Sequence, residues 1–334
     1  MSSILDGFAG MSQLGDWLSD KTIAMTGSTG FVGTALTDLI YELGESQDIA
    51  VNLITLSRNK YPKKRNSSKI TISHFDAERQ DDFVRTIADL QVEYIFHLAT
   101  PTSIERGSSD FANVTRATVE LLSTVISAVS SSVKARLINA SSGAIYGPGH
   151  KEVLDLSSTI KYEAFGESIK DNYTEAKRLS ENIVSTATAA GEIEGTNARL
   201  FAFMGLGIPL TSHYAIGNFV WDSINNKTIR LRGNPKSSRG FLPREILAAN
   251  LLELMFSEYR ATCHVSNDKH HTLAEYAELL SEISGKPVEL LGGENFPLDF
   301  YVGRTDATFL TNSSFNLRNY LENWRLEEMS RQLS

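Results

Sequence analysis

Thr22-Ile23-Ala24-Met25-Thr26-Gly27-Ser28-Thr29-Gly30-Phe31-Val32-Gly33 runs from a short apolar strand through a T-G-x-x-G-x-x-G turn into an amphipathic helical pattern over 31–43. Each glycine meets a physical demand. Gly27 lets the chain reverse tightly, Gly30 lets backbone approach a pyrophosphate, and Gly33 lets the helix pack against the strand. The unpaired N–H groups around Thr29, Phe31 and Val32, at the positive end of the new helix, then face phosphate oxygens. A glycine triplet alone is a weak signal in a chain with 23 glycines. After the first strand of a strand–helix series it predicts a dinucleotide site.

Working outward, apolar strands recur at 51–56, 70–75, 93–98, 135–140 and 196–203, separated by helical patterns over 81–90, 112–129 and 172–190. Alternation of this kind predicts an α/β fold with right-handed crossovers, a doubly wound parallel sheet of Rossmann type. Residues 1–20 read as a separate amphipathic helix, and 21–204 as the dinucleotide-binding domain, to which 236–265 return. Beyond 203 the pattern loosens into a glycine- and proline-bearing run (205–217), a helix at 218–225, a short strand at 229–231, a turn-rich loop at 233–239 and helices over 245–256 and 273–284. Segments 205–235 and 266–334 are expected to form a smaller C-terminal α/β substrate-binding domain without a dense core, laid over the sheet as a lid.

Composition bounds the partners. The chain has 334 residues, a formal net charge of -8 and one cysteine, Cys263. An acidic surface disfavours broad binding to nucleic acid or anionic membrane, so a phosphorylated ligand has to be held by local donors. A single cysteine excludes an intrachain disulfide and suits a reducing compartment. With no basic-then-apolar leader and no apolar run of spanning length, the sequence reads as cytoplasmic. No metal is expected.

The second strand ends in Leu56-Ser57-Arg58-Asn59, where an NAD-selective site presents a carboxylate to the ribose 2′-OH. Arg58, with Ser57 as a second donor, can instead meet a 2′-phosphate, which favours NADP over NAD. The competing reading makes Arg58 a solvated loop cation in a basic run with Lys60, Lys63, Lys64 and Arg65. Asp76, followed by Ala77, is placed either to accept from an adenine amino group or to cap the next helix. His97-Leu98-Ala99-Thr100 ends the fourth strand and is expected to line the cofactor, with His97 itself a core histidine.

Tyr173-Thr174-Glu175-Ala176-Lys177 puts a phenol and an ammonium on one helical face. The cation stabilises phenolate and pulls the tyrosine down from about 10, so the phenol can exchange a proton while a nicotinamide exchanges a hydride. The pair alone is common by chance. Its setting adds weight: the fifth strand ends in Asn139-Ala140-Ser141-Ser142-Gly143-Ala144-Ile145-Tyr146-Gly147, delivering a hydroxyl to the carboxyl edge of the sheet, where ligands of such folds bind.

The glycine turn, the Ser-Ser-x-x-x-Tyr-Gly strand end and the Tyr-x-x-x-Lys helix, in this order, resemble the extended short-chain dehydrogenase/reductases, the NAD-dependent epimerase/dehydratase family of nucleotide-sugar enzymes. The resemblance covers about 21–285. It implies that Ser142 hydrogen-bonds the reacting oxygen, Tyr173 is the acid/base, and Lys177 also holds the nicotinamide ribose. It also implies that Asn113 lies near the substrate phosphates, that Arg239 clamps the nucleotide diphosphate, and that Asn218 and Phe219 touch the nucleotide. Thr102, Tyr214 and Arg230 are lid side chains expected to bear on the choice of sugar, His213 reads as a loop residue ahead of a sugar contact, and a homodimer through a four-helix bundle of 112–129 and 172–190 is expected by the same resemblance.

Departures from the family pattern narrow the chemistry. The family's 4,6-dehydratases and decarboxylases carry a carboxylate two residues before the strand-end tyrosine, where this chain has Ala144. Ala202 stands for a usual asparagine and Ile246 for a usual aspartate. Two reactions need no further acid: reduction of a 4-keto nucleotide sugar, favoured by Arg58 without an acidic neighbour, and 4-epimerisation. A dehydratase using another base and a non-catalytic NADP-binding sensor complete the alternatives.

Overall fold

The computed structural model describes residues 11–59, 67–100, 114–129, 134–162, 169–211, 214–305 and 315–333. In chain order, α1 (Met11–Leu18) precedes β1 (Lys21–Thr26), α2 (Phe31–Gln47), β2 (Val51–Ser57), β3 (Ile70–Asp76), α3 (Gln80–Asp89) and β4 (Tyr94–His97). A π-helical turn (Arg116–Glu120) leads into α4 (Leu121–Val129), followed by β5 (Arg136–Ser142), α5 (Ile169–Ala189) and β6 (Glu194–Leu200). Then come β7 (Phe203–Met204), α6 (Ala215–Asn225), β8 (Ile229–Leu231), β9 (Ser238–Arg239), β10 (Leu242–Pro243) and α7 (Arg244–Phe256). The chain closes with β11 (Cys263–Val265), β12 (His271–Thr272), α8 (Leu273–Ser284), β13 (Val288–Leu290), β14 (Phe300–Tyr301) and α9 (Leu317–Leu333).

Contacts divide the chain into two units, Met1–Ile145 with Tyr162–Leu200 and Leu247–Cys263, and Tyr146–Lys161 with Phe201–Ile246 and His264–Ser334. The division differs from the expected boundaries. Residues 146–161 group with the second unit, and the returning segment is 247–263 rather than 236–265. The chain leaves the sheet after Leu200, and Phe203–Met204 pairs with Leu242–Pro243 instead of prolonging β6.

The main sheet has seven strands in the order β11-β6-β5-β4-β1-β2-β3, and the pairings from β3 to β6 are parallel. β1 pairs with β2 on one side and β4 on the other, so the strand order reverses there and opens the crevice in which doubly wound sheets bind ligands. Apolar side chains of β1 to β5, α3, α4 and α5 form one core, including Ile54, Phe83, Ile95, Leu122 and Val125. Through the middle of the sheet runs a polar row in register: Thr26 faces His97, His97 faces Asn139, and Asn139 faces Asn197. All four are buried, which is tolerable only because they bond one another or the covering helix.

The second unit has a core of its own, contrary to the expectation of a thin lid. Ile216, Val220, Ile229, Tyr276 and Leu280 are each at most 1% exposed. These apolar residues are scattered over short elements, so no single periodic run announced them. α8 starts with a capping box, Thr272 with Glu275, and ends on Gly285 at φ 70°, a left-handed position suited to glycine.

Candidate active site

Gly27 sits at φ 73°, its N–H bonded to the Leu56 carbonyl at 2.7 Å. A Cβ there would lie 2.8 Å from the Ala99 nitrogen, so only glycine fits the seam between β1 and the end of β4. A methyl on Gly33 would overlap the Gly27 carbonyl and the Ser28 backbone. Gly30 caps α2 without any side-chain bond to the helix, and first-turn N–H groups are those for which an α-helix has no intrahelical acceptor. Beside it Thr29 is half-buried and Gly30 exposed. This cradle has the donors and the close backbone approach that a pyrophosphate requires. Gly33→Ala is therefore expected to overpack the turn by about 1–3 kcal/mol and to weaken dinucleotide binding about tenfold or more. Titration of NADPH fluorescence checks this.

The N–H groups of Leu98 and Ala99 each lie 3.2 Å from Thr26 Oγ1, tying the end of β4 to the glycine turn. Thr100 Oγ1 donates to the Ala99 carbonyl at 2.8 Å, and Thr118 Oγ1 to Thr100 Oγ1 at 3.3 Å. At the end of β2, Ser57 Oγ donates to the Asn59 carbonyl at 2.7 Å, while Arg58 is exposed. Asp76 accepts from the Glu78 N–H at 3.1 Å, the capping role weighed above, immediately before Ala77.

Ser142 ends β5, buried, and its Oγ accepts from the Ala144 N–H at 3.1 Å, which orients the hydroxyl. Tyr173 and Lys177 lie on the same face of α5, with the Lys177 Nζ 5.9 Å from the centre of the Tyr173 ring. Lys177 is buried and donates to the Ala140 carbonyl, so the helix carrying the phenol is bonded to the strand carrying Ser142. Burial pushes the Lys177 ammonium down to about 7, with the Glu181 carboxylate opposing it. His97, between β1 and Lys177, bonds Thr26 Oγ1 through Nδ1 at 3.0 Å. Burial, and then the charge of Lys177, drive His97 down to about 3, so it is neutral at working pH, as expected of a core histidine.

The remaining expected residues belong to the second unit or lie outside the described residues. Thr102, Asn113 and His213 lie outside, as does the basic run at 60–65. Phe219 is 2% exposed and is a core residue of its unit, while Asn218 is half-buried on α6. Arg230 pairs with Asp222, whose carboxylate also accepts from the Arg230 N–H at 2.9 Å. Arg239 pairs with Asp299 at 2.7 Å and donates to its carbonyl at 3.0 Å. To meet a diphosphate, either arginine has to exchange or share a carboxylate partner. Tyr146 is fully buried, its hydroxyl bonded to His264 Nε2 at 2.7 Å and to the Asp155 carbonyl at 3.0 Å, a structural post in its unit.

Sequence reasoning passed over a polar pair one turn beyond Lys177, the buried Glu181 and the partly buried Arg199. The signal was available: Glu181 continues the four-residue spacing of Tyr173 and Lys177. Among the described residues no three His, Cys, Asp or Glu side chains could hold a metal, and no helix is long and apolar enough to cross a membrane.

The family described as the NAD dependent epimerase/dehydratase family matches residues 23–243. UDP-glucuronic acid decarboxylase 1 of Xenopus tropicalis is 25% identical over 274 residues, which are 81% of this chain and 62% of that protein. The chain thus spans less than two thirds of that relative. UDP-glucuronic acid decarboxylase 6 of Arabidopsis thaliana is 23% identical over 284 residues, 84% of this chain and 79% of that protein. Among solved structures, an epimerase from Methanothermobacter thermautotrophicus superposes with a TM-score of 0.77 at 19% identity, covering 98% of this chain and 97% of that one. A UDP-glucose 4-epimerase from Thermotoga maritima gives 0.76 at 17% identity, covering 93% and 99%. At these identities the structural likeness speaks for the fold.

Proposed function

Because the chain belongs to the NAD dependent epimerase/dehydratase family, we propose that it is a nicotinamide-dependent nucleotide-sugar oxidoreductase that reduces a 4-keto sugar. The observation that carries this reading is the buried Lys177 ammonium beside the Tyr173 ring, tied to the strand that ends in Ser142. The glycine turn and the first turn of α2 would hold the pyrophosphate, and Lys177 the nicotinamide ribose. Once bound, the nicotinamide supplies the hydride.

The chain's own residues manage the proton. Ser142 donates a hydrogen bond to the reacting carbonyl oxygen, and Tyr173 gives its phenolic proton to that oxygen as the alkoxide develops. The phenolate left behind sits beside Lys177 in a region of low dielectric, where opposite charges attract strongly. An ammonium lowered to about 7 by burial regains its hold on the proton when that phenolate appears.

Ala144 supports this choice. The family pattern that the sequence resembles has a carboxylate at this position in 4,6-dehydratases and related decarboxylases, and a methyl cannot shuttle the proton that elimination of water requires. The 4-epimerase reading uses the same three groups, and the epimerases among the fold's neighbours favour it as the second reading. Adding NADPH and a dTDP- or CDP-4-keto-6-deoxy sugar separates the two. Stoichiometric loss of NADPH supports the reductase, whereas tightly bound NAD with interconversion of 4-hydroxy sugars supports the epimerase.

Arg58 and Ser57 favour NADP. Arg58→Ala is expected to lower the preference for NADPH over NADH about tenfold, the value of one charge-assisted contact to a 2′-phosphate. Paired titrations of the two cofactors check it. A second copy of the chain is the proposed protein partner, through a groove between α4 and α5 lined by Ser123, Ile126, Asn182, Ile183 and Thr186. Leu179, 47% exposed on α5, extends that face. Sedimentation as a monomer at micromolar concentration contradicts the dimer.

A further inference from the structure

Beneath Lys177 the contact between α5 and the sheet is polar where an apolar seam is usual for a helix over a parallel sheet. Glu181 lies one turn further along α5 and is buried. Its carboxylate accepts from Ser141 Oγ at 2.5 Å and from Arg199 twice, Nε at 2.9 Å and Nη2 at 2.8 Å. Ser141 and Arg199 are register partners on β5 and β6, so both strands grip one carboxylate. Ser141 directly follows Ala140, whose carbonyl receives the Lys177 ammonium. The same turn of α5 is pinned again by Asn197 Nδ2, which donates to the Glu181 carbonyl at 3.1 Å, and by Asn139 Nδ2, 3.2 Å from Ser180 Oγ.

We infer that Glu181, gripped by Ser141 and Arg199, is a positioning residue for Lys177: it seats α5 on β5 and keeps the neighbouring ammonium charged. The inference rests on the proposed role of Lys177 and extends it one turn down the helix. Two features support it. A buried carboxylate with three hydrogen bonds has one low-energy place, so it fixes both the rotation and the height of the helix. Among the described residues few other charges act on Lys177. On α5 it has Tyr173 and Glu181, β4 contributes the neutral His97, β5 offers only the Ala140 carbonyl and the Ser141 hydroxyl, and β6 brings Arg199, which reaches it through Glu181. Glu181 opposes the burial that pulls Lys177 down, and Arg199 tempers Glu181.

This arrangement predicts shifts of opposite sign for the two partners. Glu181→Gln removes the anion and leaves Arg199 positive, so Lys177 loses its proton at lower pH. Arg199→Gln leaves the anion unneutralised, so Lys177 keeps its proton to higher pH. A purely structural pair gives the same loss of stability for both variants and no such opposition.

The test is a titration of the full-length protein labelled with [13Cε]lysine, the Lys177 resonance being assigned by its absence from Lys177→Met. The Lys177 midpoint is expected to fall by about one pH unit or more in Glu181→Gln and to rise by a similar amount in Arg199→Gln. The alkaline limb of turnover should move the same way in each. Midpoints that stay at the wild-type value, or move together, overturn the inference. If one variant does not fold, an unmoved midpoint in the other still overturns it. The titration uses no substrate, so its failure is separable from failure of the proposed function, which retained turnover in Tyr173→Phe would signal.

Discussion

Tyr173→Phe is expected to lower turnover by about 10²–10⁴-fold, the range of a positioned general acid, while NADPH binds as in the wild type. The substitution removes one oxygen and leaves the ring, its place near Lys177 and the buried ammonium in position. Among the described residues, His97 is neutral, buried and held by Thr26, and Ala144 carries no titratable group. Ser142→Ala should be milder, because the hydroxyl only orients and stabilises the reacting oxygen. Steady-state rates with unchanged cofactor affinity check the pair. A Tyr173→Phe rate within about tenfold of wild type assigns the proton to another group.

Arg136→Met is expected to cost about 3–5 kcal/mol of stability, since five hydrogen bonds from one charged donor are lost at once, although the Leu254 carbonyl keeps Ser257 Oγ and the Tyr259 carbonyl keeps Thr196 Oγ1. Arg136 is the first residue of β5, only 4% exposed, and all five of its N–H donors are used. Nε bonds the Met255 carbonyl at 3.2 Å, and Nη2 those of Leu254 at 2.8 Å and Tyr259 at 2.7 Å. Nη1 bonds the Glu194 carbonyl at 2.9 Å and Thr196 Oγ1 at 2.8 Å. The first two carbonyls belong to the last turn of α7, which has no intrahelical donors left for them and favours a cation. Burial pushes the guanidinium down to about 9, with Arg260 adding to the push and Glu194 opposing it; it stays charged at neutral pH. One side chain thus fastens the end of α7 to the start of β5 and β6. Arg136→Lys should recover little, because three donors on a point charge cannot match a planar fork. Denaturant midpoints check this, and a loss below about 1 kcal/mol contradicts the clamp.

The parallel sheet was legible because buried strands show as short apolar runs and because glycine has few substitutes where a methyl would strike backbone. The strand–turn–helix at 22–33 and the spacing of Tyr173 and Lys177 therefore declared themselves. Three features did not. The strand pattern at 196–203 looks continuous, yet the chain leaves the sheet at Leu200, since residue type does not report which neighbour a strand pairs with. The core of the second unit is assembled from short elements with no period of their own. Apart from His97, expected in the core, the polar row from Thr26 to Asn197 and the Glu181–Arg199 pair read in sequence as ordinary hydrophilic residues, and only the fold brings them together. For the arginines proposed to face substrate, sequence gives the residue type but not the resident partner, here Asp222 for Arg230 and Asp299 for Arg239.

In the proposed function Ser142, Tyr173 and Lys177 serve hydride transfer to a sugar carbon. The most direct measurement is isotopic: NADPH deuterated at the transferring position of the nicotinamide, incubated with a 4-keto-6-deoxy nucleotide sugar and the purified protein, followed by mass and NMR analysis of the sugar. One deuterium at C4 is expected in the wild-type product and none with Tyr173→Phe over the same interval. A product without deuterium at C4, or equal labelling by the variant, contradicts it.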